Sequence, residues 1–536
     1  MDQRRYNIYF HTHTISGIIT AALLYIIFFA GSLSFFKKDI TSWQRGESTA
    51  NIPSIPDYNH LLDSLALRYN MMGRDLDFYP LNGGDGTHVY MSASKDTSTV
   101  VKTDGAPLDK KEQGRAAILY HFANLENAAQ QHQYDMGEFL YRLHFLAPLN
   151  EVPIRIGTPF GYLLAGITAF IYLFALITGL FLHWNKIKQN FFLFRPRANW
   201  KTIWTDLHTV LGVIGLPFHF IFSITGIILI TNFLLTTPFS HLLYNSDQAK
   251  MFEELQSTKT ITVSYQHQPL EADFDMNTFI ASTLDRWEGG KVSRIYIRNF
   301  GDQSMEVSLE AKALPSVNFA GTGYIRQKVA SGQILDFKSP TTDTTYIDTI
   351  RSLIYHLHFG DFGGRPIQIA FFLMGIMGCA IILSGIMIWL VARDKNIVSP
   401  HKRKFNFWTT NIFLSICLSM LPVTAFTLVC VKLAPSIDKT FIYQCFFLSW
   451  AALTSYFLLL RNLAMINRQI WILSTLTCLA VPFTNGLHSG LWISRTWEMR
   501  QYDILFIDVL FLALAVISAF AYFTISLKKG ETFEKK

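Results

Sequence analysis

The sequence predicts a polytopic α-helical membrane protein of about eight transmembrane helices, carrying two small α+β modules on one side of the bilayer. Three observations predict it. Half of the 536 residues are apolar and only 16% are charged. The apolar residues gather in runs of about 20, enough to cross a ~30 Å hydrocarbon core as helix. Two long polar segments with mixed helix and strand patterns interrupt these runs.

The runs lie near residues 13–36, 158–183, 207–232, 367–392, 406–432, 440–460, 469–487 and 502–527. The first follows Arg4 and Arg5, as a secretory signal would. It is too long for the apolar core of one and ends in Phe35-Phe36-Lys37-Lys38 rather than in small residues, so it reads as a retained span. Basic residues gather after the second run (Lys186, Lys188, Arg195, Arg197, Lys201), after the fourth (Arg393, Lys395, Lys402, Arg403, Lys404) and at the C-terminus (Lys528, Lys529, Lys535, Lys536). The positive-inside rule makes these ends cytoplasmic, which puts both termini inside and residues 37–157 and 233–366 outside. The net charge of +7 follows from this topology and does not point to a nucleic-acid partner. All five cysteines (Cys379, Cys417, Cys430, Cys445, Cys478) fall in spans, so the external loops hold no disulfide, and no CxxCH is present for covalent haem attachment.

Each external segment reads as a helix followed by strands. The first has a helical pattern at 58–69 and strand patterns at 87–91 and 97–102, with turns at Gly83-Gly84 and Asp104-Gly105; the second has a helix at 276–287 and strands at 292–298, 305–309 and 324–328. The expected segments are therefore a first span (1–36), an external module (37–157), spans two and three with their loop (158–232), a second module (233–366), span four with its loop (367–405) and a four-span extension (406–536).

The spans also repeat. His13 is followed by Gly17 and Gly31, and His208 by Gly212 and Gly226, at the same offsets. Thr178-Gly179 with Trp184 matches Ser384-Gly385 with Trp389, and Leu143-His144 matches Leu357-His358. Residues 1–204 and 205–405 thus look like two copies of one unit. Ionisable residues at membrane depth are functional candidates, and here they fall at matched levels: His13 and His208 at the cytoplasmic face, His144 and His358 at the outer face. Two imidazoles facing each other supply both axial nitrogens of a six-coordinate haem, so two pairs suit two non-covalent haems b. An offset of 4 stays near the starting face of a helix and one of 18 returns to it after five turns. Gly17 and Gly212 then lie beside the inner pair and Gly31 and Gly226 beside the outer, where a missing Cβ admits a flat macrocycle. His219 shares that face about 16 Å from His208 and reads as a ligand, a relay or a packing residue. Spacing does not choose between His11 and His13, or between His356 and His358. Arg155, Arg351 and Arg365 stand where haem carboxylates would need cations, or contact loops and headgroups. No Walker loop, GxGxxG or HExxH motif occurs.

With these residues in view, the chain resembles the PepSY-associated transmembrane family, which includes iron-regulated membrane proteins and ferric-siderophore reductases of the bacterial inner membrane. The resemblance rests on His13-Thr-Ile-Ser-Gly17, Leu207-His208-Thr-Val-Leu-Gly212, Thr225-Gly226, Leu143-His144, Ile177-Thr178-Gly179 and Leu357-His358-Phe-Gly-Asp-Phe-Gly-Gly364, over about residues 8–395. It implies two PepSY-like periplasmic modules, with His13 paired to His208 and His144 to His358 as haem ligands. It also implies a reductase that takes electrons from quinol or a cytoplasmic donor and passes them to a ferric siderophore or another periplasmic acceptor. The alternative is a haem-free scaffold, transporter or peptidase-regulating or sensory protein. The extension beyond residue 405 lies outside the family core.

Overall fold

The computed structural model describes residues 2–48, 55–81, 86–96, 114–122, 134–154, 159–247, 250–251, 263–393, 397–434 and 436–527. The expected strand at 97–102, the turns at Gly83-Gly84 and Asp104-Gly105, Arg155, Lys395 and the C-terminal lysines lie outside these residues. In chain order the helices are α1 (Gln3–Ser34), α2 (Lys37–Arg45), α3 (Tyr58–Ala66), α4 (Met136–His144), α5 (Phe160–His183), α6 (Ile187–Phe191), α7 (Trp200–Tyr244), α8 (Met276–Arg286), α9 (Tyr346–Phe359), α10 (Gly364–Arg393), α11 (Pro400–Leu418), α12 (Met420–Leu433), α13 (Lys439–Leu460), α14 (Leu463–Ser489), α15 (Ile493–Glu498) and α16 (Tyr502–Leu527). The strands are β1 (Leu76–Pro80), β2 (Gly86–Met91), β3 (Ala116–His121), β4 (Lys291–Arg298), β5 (Glu306–Lys312), β6 (Thr322–Lys328) and β7 (Ile334–Lys338).

Eight helical segments among the described residues are long and apolar enough to cross a bilayer: α1, α5, α7 over Trp200–Asn232, α10, α11 with α12, α13, α14, and α16. The chain is a multi-pass membrane protein. The fifth span is two helices that meet at Ser419, whose hydroxyl donates back to the Ser415 carbonyl at 2.7 Å. Such back-bonding is a common cause of bends.

The chain divides into two compact units, residues 1–48, 134–237 and 357–536 in one and residues 49–133 and 238–356 in the other. Of the segment expected at 37–157, residues 37–48 and 134–154 group with the helical unit, where α2 and α4 are joined by ion pairing of Lys37 with Glu138 and by a hydrogen bond from Thr41 to Asp135 at 3.0 Å.

In the second unit the two segments, each a helix followed by strands, join edge to edge. Its strands form a single antiparallel sheet in the order β3-β2-β1-β4-β5-β6-β7. β1 from the first segment pairs with β4 from the second, Leu76 opposite Ile297 and Phe78 opposite Ile295. Period-two alternation puts Leu76, Phe78, Val89, Ile295, Ile297, Val307 and Leu309 on one face, where they bury against Tyr58, Leu61 and Leu65 of α3 and Met276 and Ile280 of α8. The two helices cap each other: Asn59 accepts from the Met276 amide at 2.8 Å, and Asn277 accepts from the Tyr58 amide at 2.9 Å. Asp57-Tyr-Asn59 and Asp275-Met-Asn277 are thus equivalent parts of the internal repeat. β1, β3 and β7 were not legible, because short strands with mixed polarity carry little periodic signal.

The extension packs onto the helical unit through apolar side chains and a buried polar knot. Asp508 of α16 accepts from Trp43 Nε1 at 2.7 Å and from Asn485 Nδ2 at 2.9 Å, and Lys432 donates to the Trp43 carbonyl at 2.5 Å. Buried polar groups left unpaired cost about 1–3 kcal/mol each. Asp508→Leu strands two donors and is expected to destabilise the helical unit by roughly 2–6 kcal/mol. A thermal-shift measurement in detergent checks this, and an unchanged midpoint would mean that the knot is not what holds α16.

Candidate functional site

Two histidine pairs define the site. His13 on α1 faces His208 on α7 with ring centres 6.1 Å apart, and His144 at the end of α4 faces His358 on α9 with ring centres 6.0 Å apart. His11 is exposed, and His356 stacks near Phe319 in the other unit, so the registers that meet are those of His13 and His358.

Each of the four imidazoles is held by Nδ1. His13 donates to the Ala175 carbonyl at 2.9 Å, His144 to that of Ile27 at 2.8 Å and His208 to that of Ile381 at 2.9 Å. A carbonyl only accepts, so the ring proton is on Nδ1. The fourth, His358, meets Thr225 Oγ1 at 2.9 Å; that hydroxyl gives its own proton to the Ile221 carbonyl at 2.7 Å and therefore accepts from Nδ1. Nε2 is left with its lone pair in every case. An N–H fixed on the far side of the ring is how proteins orient metal-binding histidines. Burial pushes the His144 and His358 imidazoles below their ordinary value, His358 to about 3, which favours their neutral form.

Glycines make these approaches possible. A Cβ at Gly179 would stand 3.0 Å from His13 Cε1, one at Gly385 would stand 3.1 Å from His208 Cε1, and one at Gly31 would be 2.4 Å from His144 Nδ1. Three times, then, a histidine lies over a glycine and donates to the carbonyl four residues before it: Ala175/Gly179, Ile381/Gly385 and Ile27/Gly31. Thr178 and Ser384, just before two of those glycines, donate to the same carbonyls at 3.0 and 2.8 Å. The repeated Thr-Gly and Ser-Gly pairs marked the duplication in the sequence, but their job of seating an imidazole was missed. Gly31, expected beside a macrocycle, has the His144 ring lying over it. At Gly226 a Cβ would lie 3.5 Å from His358, an ordinary contact, whereas at Gly17 and Gly212 it would meet nothing within 4 Å.

Residues 10–392 match the pattern of the PepSY-associated TM region. The chain belongs to this family. The match covers more than half of the sequence and takes in all four paired histidines, whereas α11–α16 lie beyond it. The chain is also similar to the uncharacterized protein PA4219 of Pseudomonas aeruginosa, 24% identical over 304 residues, which is 54% of this chain and 73% of that protein.

The remaining candidates sort by their partners. Arg365 forks onto Asp39 at 2.6 and 2.7 Å, so its guanidinium is committed to a carboxylate of the protein. Arg351 is exposed and belongs to the other unit. Although burial opposes it, Lys37 and Arg142 hold the Glu138 carboxyl below its ordinary value. That anchors α4 to α2 and fixes the helix whose last residue is His144. His219 is fully buried on α7 between the two pairs.

The fit to haem can be tested on distance. A metal–imidazole bond of about 2.0–2.1 Å, with the ring centre roughly 1 Å beyond the nitrogen, sets two ring centres about 6 Å apart across one iron. Both pairs have this spacing. Among the described residues there is no group of three or more His, Cys, Asp and Glu that could hold a metal ion.

Proposed function

We propose that this protein is a di-haem oxidoreductase of the bacterial inner membrane, passing electrons to a periplasmic acceptor and reducing ferric siderophore to release Fe(II). The observation that carries this reading is the pair of imidazole couples at iron-bridging distance, each ring fixed through Nδ1. Haem iron held by two imidazoles supplies one-electron Fe(III)/Fe(II) exchange. His13 and His208 would hold one haem b, and His144 and His358 the other. Along α1, His13 and Ile27, the residue that anchors His144, are fourteen positions apart, about 21 Å at 1.5 Å per residue. The two couples therefore sit at different depths, as an electron path across a membrane requires. The distribution of Lys and Arg supports placing the His13 end and both termini in the cytoplasm, with quinol or a cytoplasmic reductant as donor. Ferric chelates suit the acceptor side because reduction to Fe(II) weakens binding to hard oxygen ligands without breaking the chelator.

The test uses purified protein with its haem. Reduced under anaerobic conditions and mixed with ferric siderophore, it is expected to lose its sharp reduced α and β bands while a ferrous trap collects one Fe(II) per electron. Bands that stay reduced with every ferric chelate but fade with another periplasmic oxidant would remove the siderophore from the reading and keep electron transfer. Absence of haem would remove both and favour a scaffold or transporter. Orientation is checked by reporter fusions at Gly301 and at the C-terminus, the first active only outside and the second only inside.

A further inference from the structure

The hairpin of α12 and α13 brings two thiols together. α12 ends at Leu433 and α13 starts at Lys439, so Cys430 lies three residues before the turn and Cys445 six residues into α13, about 5 and 9 Å along their helices. The two side chains are hydrogen-bonded to each other and are not joined. Thr427, one turn before Cys430, gives its hydroxyl proton to the Val423 carbonyl at 2.8 Å and so accepts from Cys445, which leaves the Cys445 sulfur to accept from Cys430. Both cysteines are partly exposed, whereas Cys379, Cys417 and Cys478 are buried. The turn lies at the end of the helical unit that carries His144. There Lys439 pairs with Glu151 at 2.5 Å, and Tyr443 and Phe446 pack against Phe139 of α4 with ring centres 5.7 and 4.8 Å away.

A cysteine in a helix bundle commonly serves as small apolar filling, and Cys379, Cys417 and Cys478 fit that use. Cys430 and Cys445 differ in meeting each other and in being open to a reagent. Exposed Gln444 and the Lys439–Glu151 pair place polar groups within two turns of Cys445. A disulfide needs sulfurs about 2.0 Å apart on Cβ atoms about 3.8 Å apart, and two thiols already in hydrogen-bond contact approach that by rotating their side chains. We propose that Cys430 and Cys445 form a redox-active pair, closed to a disulfide by exchange with an external disulfide. The thiolate of one attacks a sulfur of that reagent and releases its first thiol; the thiolate of the other then breaks the mixed disulfide and releases the second. The two electrons and both thiol protons leave with the reagent, and the Cys430–Cys445 bond is gained. The bond staples α12, which Lys432 ties to the Trp43 carbonyl, to α13, the wall on which the helix ending in His144 rests. In the orientation proposed above this end faces the oxidising side, where a disulfide persists. The chemistry of the pair depends on neither that orientation nor haem.

The experiment takes the full chain purified in detergent, incubates it with dithiothreitol or with oxidised glutathione, then unfolds it and titrates its thiols with a maleimide. Wild type is expected to show all five thiols after dithiothreitol and two fewer after glutathione, with one proteolytic fragment joining Cys430 to Cys445. Cys430→Ser and Cys445→Ser lack the second sulfur, so each should keep one glutathione as a mixed disulfide on the remaining member of the pair. Closure of the loop between residues 430 and 445 should also raise the thermal midpoint of wild type and of neither variant. Should a serine fail to fold, alanine at the same position takes its place. Five free thiols in glutathione-treated wild type, with no glutathione on either variant, would make the pair a packing contact and overturn the proposal. A bridge to Cys379, Cys417 or Cys478, or a mixed glutathione disulfide that persists in wild type, would overturn it equally, because the two sulfurs would then not close on each other.

Discussion

His358→Ala is expected to remove one of two haems and leave the other, and His208→Ala to remove the one that His358→Ala leaves. The histidines of the two couples come from different helices, α4 with α9 and α1 with α7. α1 and α7 also anchor the second couple through Ile27 and Thr225, but each ring has its own anchor, so loss of one imidazole leaves the anchors of the other couple in place. An alanine at 358 takes away an imidazole that would ligate the haem and strands the Thr225 hydroxyl that accepted from it. Weakening an anchor alone costs about 10–100-fold in metal affinity, so Thr225→Val is the milder variant and should retain its haem at high haem concentration. The measurement is haem per protein with the reduced spectrum of each variant. His11→Ala and His356→Ala should keep both haems, since neither faces a histidine couple. A full complement in both His208→Ala and His358→Ala would show that these couples do not carry the cofactor.

Eight spans were legible because about twenty apolar residues in a row have few other uses, and the couples were legible because the duplication aligned His13 with His208 and His144 with His358. What escaped the sequence depends on residues far apart in the chain. Pairing of β1 with β4 joins Leu76 to Ile297, and no local pattern announces a partner more than two hundred residues away. For the same reason the sequence shows the two polar segments as two modules but not that their strands join in one sheet. Gly179 and Gly385 were visible as repeats, but a glycine's purpose lies in what approaches it, here an imidazole from another helix. Arg365 looked available to a haem carboxylate until the fold brought Asp39 against it.

The glycines give the second large effect, and they separate two roles that a sequence cannot tell apart. At Gly17 and Gly212 an added Cβ meets nothing within 4 Å, so a side chain can start there without a clash, and relief of glycine's helix penalty favours it by up to about 1 kcal/mol. Both lie one helical turn from a histidine of the first couple, where a haem held as proposed by His13 and His208 would need room. Gly17→Leu and Gly212→Leu are therefore expected to fold normally yet carry only the haem of His144 and His358. Gly31→Ala works the other way. Its methyl would stand 2.4 Å from His144 Nδ1, closer than any Cβ tolerates, and would push the ring off the Ile27 carbonyl. The haem of the second couple should then bind about 10–100-fold more weakly while that of the first is kept. Haem content and thermal midpoint measured on the three proteins decide it: a stable Gly17→Leu protein with both haems would mean that the open space beside Gly17 is not where a macrocycle lies.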